Sequence, residues 1–88
     1  QARYDEAERL DRQSLTVARS HFGEDHPLVS EALNNIGEVY YLQSDFEQAE
    51  DYFREALALD RKNLGETHPH VGAATNNLAM MLTLQNVY

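Results

Sequence analysis

The residues of this chain whose types could support chemistry are histidines, serines and carboxylates, and their spacing argues against catalysis. His68 and His70 flank Pro69 in an H-x-H pattern that could ligate a metal ion. His26 stands before a proline in the same way as His68, however, which favours a structural role in a turn, and the position matching His70 is Leu28. The serines have no recurring His and Asp partners, and the glycines form no phosphate-binding loop. We therefore predict no metal site, no cofactor and no enzymatic activity.

Two asparagine pairs, Asn34-Asn35 and Asn76-Asn77, are the sharpest functional candidates. A side-chain amide both donates and accepts hydrogen bonds, so it can bond the backbone of an extended peptide without reading its side chains. The same amides could instead form a hydrogen-bonded ladder between neighbouring helices. Both roles are open for Asn35 and Asn77, and they are not exclusive.

The asparagine pairs belong to a repeat of 42 residues that runs through the whole chain. Aligning residues 1–46 with residues 43–88 gives 46 pairs, of which 16 are identical, including Gly23 with Gly65 and Pro27 with Pro69. A fixed period of this length is typical of a solenoid, in which each unit buries its apolar face against its neighbours.

Each period predicts two helices that fold back on each other. Apolar residues at 29, 33, 36 and 40 follow spacings of four, three and four, and a second set follows at 49, 53, 56 and 57. Only Ser44-Asp45 separates the two predicted helices, which predicts a tight antiparallel hairpin. Gly23 and Gly65 should end helices, and a proline begins the next one. The predicted helices cover residues 4–22, 27–43, 46–64 and 69–86.

The composition restricts the class of partner. The 88 residues carry a net charge of −8, which disfavours nucleic acid and anionic membrane surfaces as partners. Solubility accounts for most of this charge, and the remainder could select basic partners. No segment approaches the length of an apolar membrane span, and the chain has no cysteine, which fits an intracellular, cytoplasmic protein.

The hairpin resembles the tetratricopeptide repeat. The residues that carry this resemblance are Leu33, Ile36, Gly37, Tyr40, Ala49, Phe53 and Ala56. The 42-residue period and the loop over residues 64–69 are similar to the longer variant found in kinesin light chains. The resemblance implies an all-α, right-handed superhelical solenoid of antiparallel helix hairpins. Its four helices would run in the order B-A-B-A: a second helix and loop (1–26), a complete repeat (27–68) and a first helix (69–88).

What the resemblance implies for function is a protein–protein interaction scaffold that binds an extended peptide on its concave face, along the first helices of the repeats. Successive residues of a helix are rotated by 100° about its axis, so the position of the buried stripe predicts which side chains face that groove. The predicted peptide-binding residues are Glu31, Asn34, Asn35, Glu38, Leu42, Ala73, Asn76, Asn77, Met80 and Leu84. Their chemistry favours a basic or apolar ligand, and it disfavours the acidic carboxylate terminus that some family members clamp with basic residues.

Two other functions compete with peptide binding. The repeats could act as a structural spacer or self-association module of a larger signalling protein, or as a sensor that restrains an attached enzyme. The ends of the repeat pattern favour self-association, because a helix without its usual partner exposes an apolar stripe. One departure from the family pattern weakens that stripe: Asp11 stands where the next copy has Phe53.

Overall fold

The structure, a computed structural model, describes residues 2–65 and 67–87, and these residues form four helices. The helices are α1 (Ala2–Phe22), α2 (Pro27–Leu42), α3 (Phe46–Leu64) and α4 (Pro69–Val87). No strand occurs in either described range, and no helix in them is long and apolar enough to cross a membrane. The predicted all-α repeat fold is confirmed, with each helix boundary within two residues of its predicted position.

Glycines and a capped turn set the helix boundaries. Gly23 and Gly65 adopt positive φ angles of 84° and 88° at the ends of α1 and α3, as their spacing predicts. Between α2 and α3, Ser44 also has a positive φ of 64°, and Asp45 caps α3 by accepting a hydrogen bond from the Gln48 backbone N–H. The turn is therefore one residue longer than predicted, because α2 ends at Leu42.

The core lies where α2 packs between α1 and α3. Val29, Leu33 and Ile36, which form the predicted stripe of α2, are fully buried. They pack with Leu15, Ala18 and Ala56 from the two neighbouring helices. This packing orients α2, because a helix with one face in the core must present the opposite face to solvent.

Phe53 connects this core to α4. Its ring is 4% exposed and packs with Ala49 and Met81, so it lies at the contact of α3 with both α2 and α4. Gly37 lies against the ring so closely that a Cβ at this position would be 2.8 Å from Phe53 Cε1. Phe53 thus keeps α2 and α4 on the same side of α3, which leaves a groove between them.

A polar cluster joins α1 to the hairpin of α2 and α3. Arg12 donates to Glu8 Oε2 at 2.7 Å and to the Tyr40 hydroxyl at 3.0 Å, and that hydroxyl donates to Glu8. The Tyr40 ring stacks on Tyr52 of α3 with centroids 5.6 Å apart. The hydrogen bond from Arg12 lowers the pKa of Glu8. The cluster has a structural role, since it pairs its charges and links three helices.

Candidate functional site

The ten residues predicted from the sequence to bind peptide all lie on α2 and α4. Seven of them are exposed, three are half-buried, and none is buried in the core. The exposed ones are Glu31, Asn35, Glu38, Leu42, Ala73, Asn76 and Met80, and the half-buried ones are Asn34, Asn77 and Leu84. Two clefts, one at each end of α2, bring parts of this set together with residues that the sequence did not indicate.

The first cleft, here called the acidic cleft, lies where the N-terminal halves of α2 and α4 approach the C-terminal end of α3. Its volume is about 460 Å³. The residues that give it polar character are Ser30, Glu31, Asn34, Asn35, Asp60, His68 and His70. Three helices and the loop before α4 therefore contribute polar groups to a single cavity.

Two hydrogen-bond acceptors of the acidic cleft are buried. Asp60 is 5% exposed, and its Oδ1 accepts a hydrogen bond of 2.6 Å from the Ser30 hydroxyl. Asn34 Oδ1 is buried and has no hydrogen-bond partner. Sequence reasoning missed Asp60 and Ser30, because helical periodicity cannot tell which polar residue becomes buried where three helices converge.

Histidines form the turns that begin α2 and α4. His26 Nδ1 accepts a hydrogen bond from the Leu28 backbone N–H, and His68 Nδ1 accepts one from the His70 N–H, each at 3.1 Å. An accepting Nδ1 places the proton of a neutral imidazole on Nε2. The predicted structural role of these two histidines agrees with this geometry. Within residues 2–65 and 67–87, no group of three or more His, Asp or Glu residues is arranged to hold a metal ion.

The second cleft, here called the apolar cleft, lies at the C-terminal ends of α2 and α4, over the start of α3. It has a volume of about 800 Å³, and its apolar lining comes from Tyr41, Leu42, Phe46 and Leu84. The exposed residues Asp45 and Glu47 also line it. The Tyr41 and Phe46 rings are 6.0 Å apart, and Leu84 also packs against the Phe53 cluster. Leu42, in contrast, is 55% exposed and lies open to a ligand.

A hydrogen bond anchors the apolar cleft to α3. Gln85, which lines the cleft, donates from Nε2 to Glu50 Oε1 at 2.6 Å. This bond lowers the pKa of Glu50, and the nearby Arg54 lowers it further. Glu50 therefore remains a charged acceptor that holds the end of α4 in place.

Both clefts open on the same face of α2. Glu31 and Leu42 are eleven residues apart, which corresponds to three turns plus about 20° and to about 16 Å along the helix axis. Glu38 lies on the same stripe between them. Asn35 shares this face and is exposed.

The asparagine ladder that the sequence left open is not formed. In the described part of the chain, no hydrogen bond joins the side chains of Asn34, Asn35, Asn76 and Asn77 to one another. Their amides therefore retain donors and acceptors that a ligand backbone can use.

Comparison with known proteins agrees with this architecture. The family model described as the tetratricopeptide repeat matches residues 1–62 and, in a second overlapping match, residues 36–88. A search of curated proteins finds no match. The two family matches span the four helices and the hairpin motif built around Gly37 and Phe53. The chain belongs to the tetratricopeptide repeat family.

Proposed function

We propose that this chain is a non-catalytic interaction module that binds an extended peptide of a partner protein in the groove between α2 and α4. Support for the class of function comes from the family, whose repeats generally mediate protein–protein interactions. The observation that carries the proposal for the groove is that, in the part of the chain that the structure describes, the asparagine side chains form no hydrogen bonds with one another. Asn34 and Asn35 line the acidic cleft, and because the side chains of the four asparagines do not bond one another, their amides can pair with a peptide backbone.

The closer likeness to kinesin light chains remains a part of this proposal. It rests on the 42-residue period and on the loop over residues 64–69. In that variant of the repeat, the concave groove receives a peptide segment of a cargo or adaptor protein. The same mode of binding would suit a groove whose acidic cleft offers the free amides of Asn34 and Asn35.

The test is a binding measurement with a matched control. A peptide array probed with the intact chain identifies ligands, and fluorescence anisotropy then gives a Kd for the strongest ones. We expect Asn35→Ala combined with Asn77→Ala to weaken binding about tenfold or more, since each lost hydrogen bond contributes about 0.5–1.5 kcal/mol. Asn63→Ala, an exposed asparagine on α3, should leave the Kd unchanged. The proposal would be refuted if the unmodified chain, the double variant and Asn63→Ala all bound the peptide with equal affinity.

The competing function, a spacer or self-association module of a larger signalling protein, also has an observation in its favour. Leu10 on α1 and Leu82 on α4 are 50% and 40% exposed, and they lie on the outer helices. Exposed apolar side chains of this size often belong to contacts between proteins. The two functions are not exclusive, because Leu10 and Leu82 lie outside both clefts.

A further inference from the structure

We infer that the groove selects an extended peptide that carries one basic and one apolar side chain, separated by four to six residues. The basic side chain occupies the acidic cleft, and the apolar side chain occupies the apolar cleft. This inference rests on the proposed function and specifies the chemistry of its ligand.

The acidic cleft contains two carboxylates and no basic side chain of Lys or Arg, and this charge defines the group that it accepts. Its carboxylates, Glu31 and Asp60, and the unpaired Asn34 Oδ1 are all acceptors. No Lys or Arg is among the residues that line it. A guanidinium carries five N–H donors and an ammonium carries three, with no acceptor on either group. Hydrogen bonds of this kind to a carboxylate are about twice as strong as those between neutral groups.

Four polar residues of this cleft depart from the repeat pattern. A shift of 42 residues pairs Ser30 with Gly72, Glu31 with Ala73, Asp60 with Ala18 and His70 with Leu28. Ala18 is buried without any polar group at the position where α3 buries the Asp60 carboxylate. Burying a carboxylate costs stability that an alanine does not cost. A departure of this kind from the repeat pattern is expected at a functional site.

The apolar cleft offers a different type of contact. Leu42 and Leu84 occupy equivalent positions of successive repeats, and the rings of Tyr41 and Phe46 lie beside them. An apolar ligand side chain placed here would cover the exposed face of Leu42. Removing apolar surface from water is favourable by about 25 cal/mol per Å².

The distance between the clefts sets the spacing of the two ligand side chains. Glu31 and Leu42 are about 16 Å apart along α2, which an extended chain rising about 3.3 Å per residue spans in about five residues. Alternate side chains of such a chain point the same way, which favours separations of four or six. Asn35, which lines the acidic cleft four residues beyond Glu31 in the direction of Leu42, can bond the backbone between the two side chains.

A spacing series of labelled peptides tests this inference. Each peptide places one Arg and one Leu in a Gly-Ser-Ala background, in both orders, with separations from adjacent to about twice the expected distance. Fluorescence anisotropy with the intact chain measures the Kd. We expect the tightest binding at separations of four to six, about tenfold tighter than at either extreme. Changing the Arg of the best peptide to Glu should abolish its binding.

Variants of the protein assign each half of the peptide to its cleft. Glu31→Gln should weaken binding of the Arg-Leu peptide several-fold and should not change the Kd of a peptide with Leu alone. Leu42→Ala should weaken binding only of peptides that contain Leu. Both positions are exposed, so the fold should be preserved. The matched controls are Asp51→Asn and Leu10→Ala, which are exposed and lie outside both clefts.

The outcomes separate this inference from the proposed function. Array peptides that bind and respond to the asparagine substitutions, but show no dependence on basic–apolar spacing, would overturn the inference and leave the proposed function intact. Unchanged Kd values for both Glu31→Gln and Leu42→Ala would also overturn it. A chain that binds no extended peptide at all would overturn both.

Discussion

At the scale of single residues, the contact of Gly37 with Phe53 determines how closely α2 and α3 approach. Gly37 lies inside a helix, where glycine is a poor choice because it loses more backbone freedom on folding than alanine. It is needed for space, since a Cβ there would be 2.8 Å from an aromatic carbon of a buried ring. Gly72 of α4 also lies in a helix but has no such neighbour, with nothing within 4 Å of an added Cβ.

Alanine substitutions at these two glycines should therefore have opposite effects. We expect Gly37→Ala to destabilise the fold, because overpacking costs about 1–3 kcal/mol and should outweigh the gain of up to about 1 kcal/mol in helix propensity. Gly72→Ala should stabilise the fold by up to about 1 kcal/mol. Urea unfolding followed by circular dichroism measures both. Two shifts of the same sign would contradict this account of Gly37.

The residues that the sequence predicts well are those that follow the helical periodicity or match the family motif. Phe53, Gly37 and the α2 stripe follow from apolar periodicity and from the family motif, and all of them are in the core. Asp60 could not be predicted to line a cleft, because its burial depends on how α2 and α4 converge on the end of α3. The same holds for Met81, which is fully buried although the sequence places it among many apolar residues of α4.

At the scale of helices, the junction between α1 and α2 is held by one histidine. His26 caps α2 through its Nδ1 and also stacks on Phe22 at the end of α1, with ring centroids 4.3 Å apart. The side chain therefore satisfies a backbone N–H at the start of one helix and covers an aromatic ring at the end of the other. Pro27 and Gly23 predict where the helices begin and end, but the usual capping residues are Ser, Thr, Asp and Asn.

Substitutions of His26 separate capping from stacking. His26→Ala removes both contacts, and we expect it to cost about 1–2 kcal/mol of unfolding free energy. His26→Asn keeps a side-chain acceptor for the Leu28 N–H, so it should recover about half of that loss. Unfolding in urea, with Asn63→Ala as a surface control, gives the comparison. An asparagine variant as unstable as the alanine variant would mean that the cap contributes little.

At the scale of the whole molecule, the charge is unevenly distributed. The chain carries −8, yet α4 has no charged residue, and the four basic residues of α1 balance its four acidic ones. The negative charge thus lies on α2, α3 and the loops. The outer helices also carry exposed apolar side chains, among them Leu10 and Leu82. Contact between α1 and α4 of two molecules would therefore meet little local repulsion.

The repeat equivalence predicts how two copies would meet. Leu82 of α4 and Leu10 of α1 occupy the positions of Tyr40 and Tyr52, whose rings stack 5.6 Å apart inside the chain. If α4 of one copy pairs with α1 of the next, as α2 pairs with α3, the two leucines meet. Asp11 takes the position of Phe53 in this pairing, so the contact should be weaker than the internal hairpin.

We therefore expect reversible association of the chain at high concentration, head to tail, because the two outer surfaces differ. Raising the salt concentration to about 0.5 M should strengthen it, since screening reduces the repulsion between molecules of like net charge. Leu10→Asp or Leu82→Asp should abolish it by placing a charge in the apolar contact. Leu42→Asp, which changes an exposed leucine on α2, should leave it unchanged. Sedimentation velocity measures the effect, and a chain that stays monomeric at high concentration and high salt would exclude this mode of assembly.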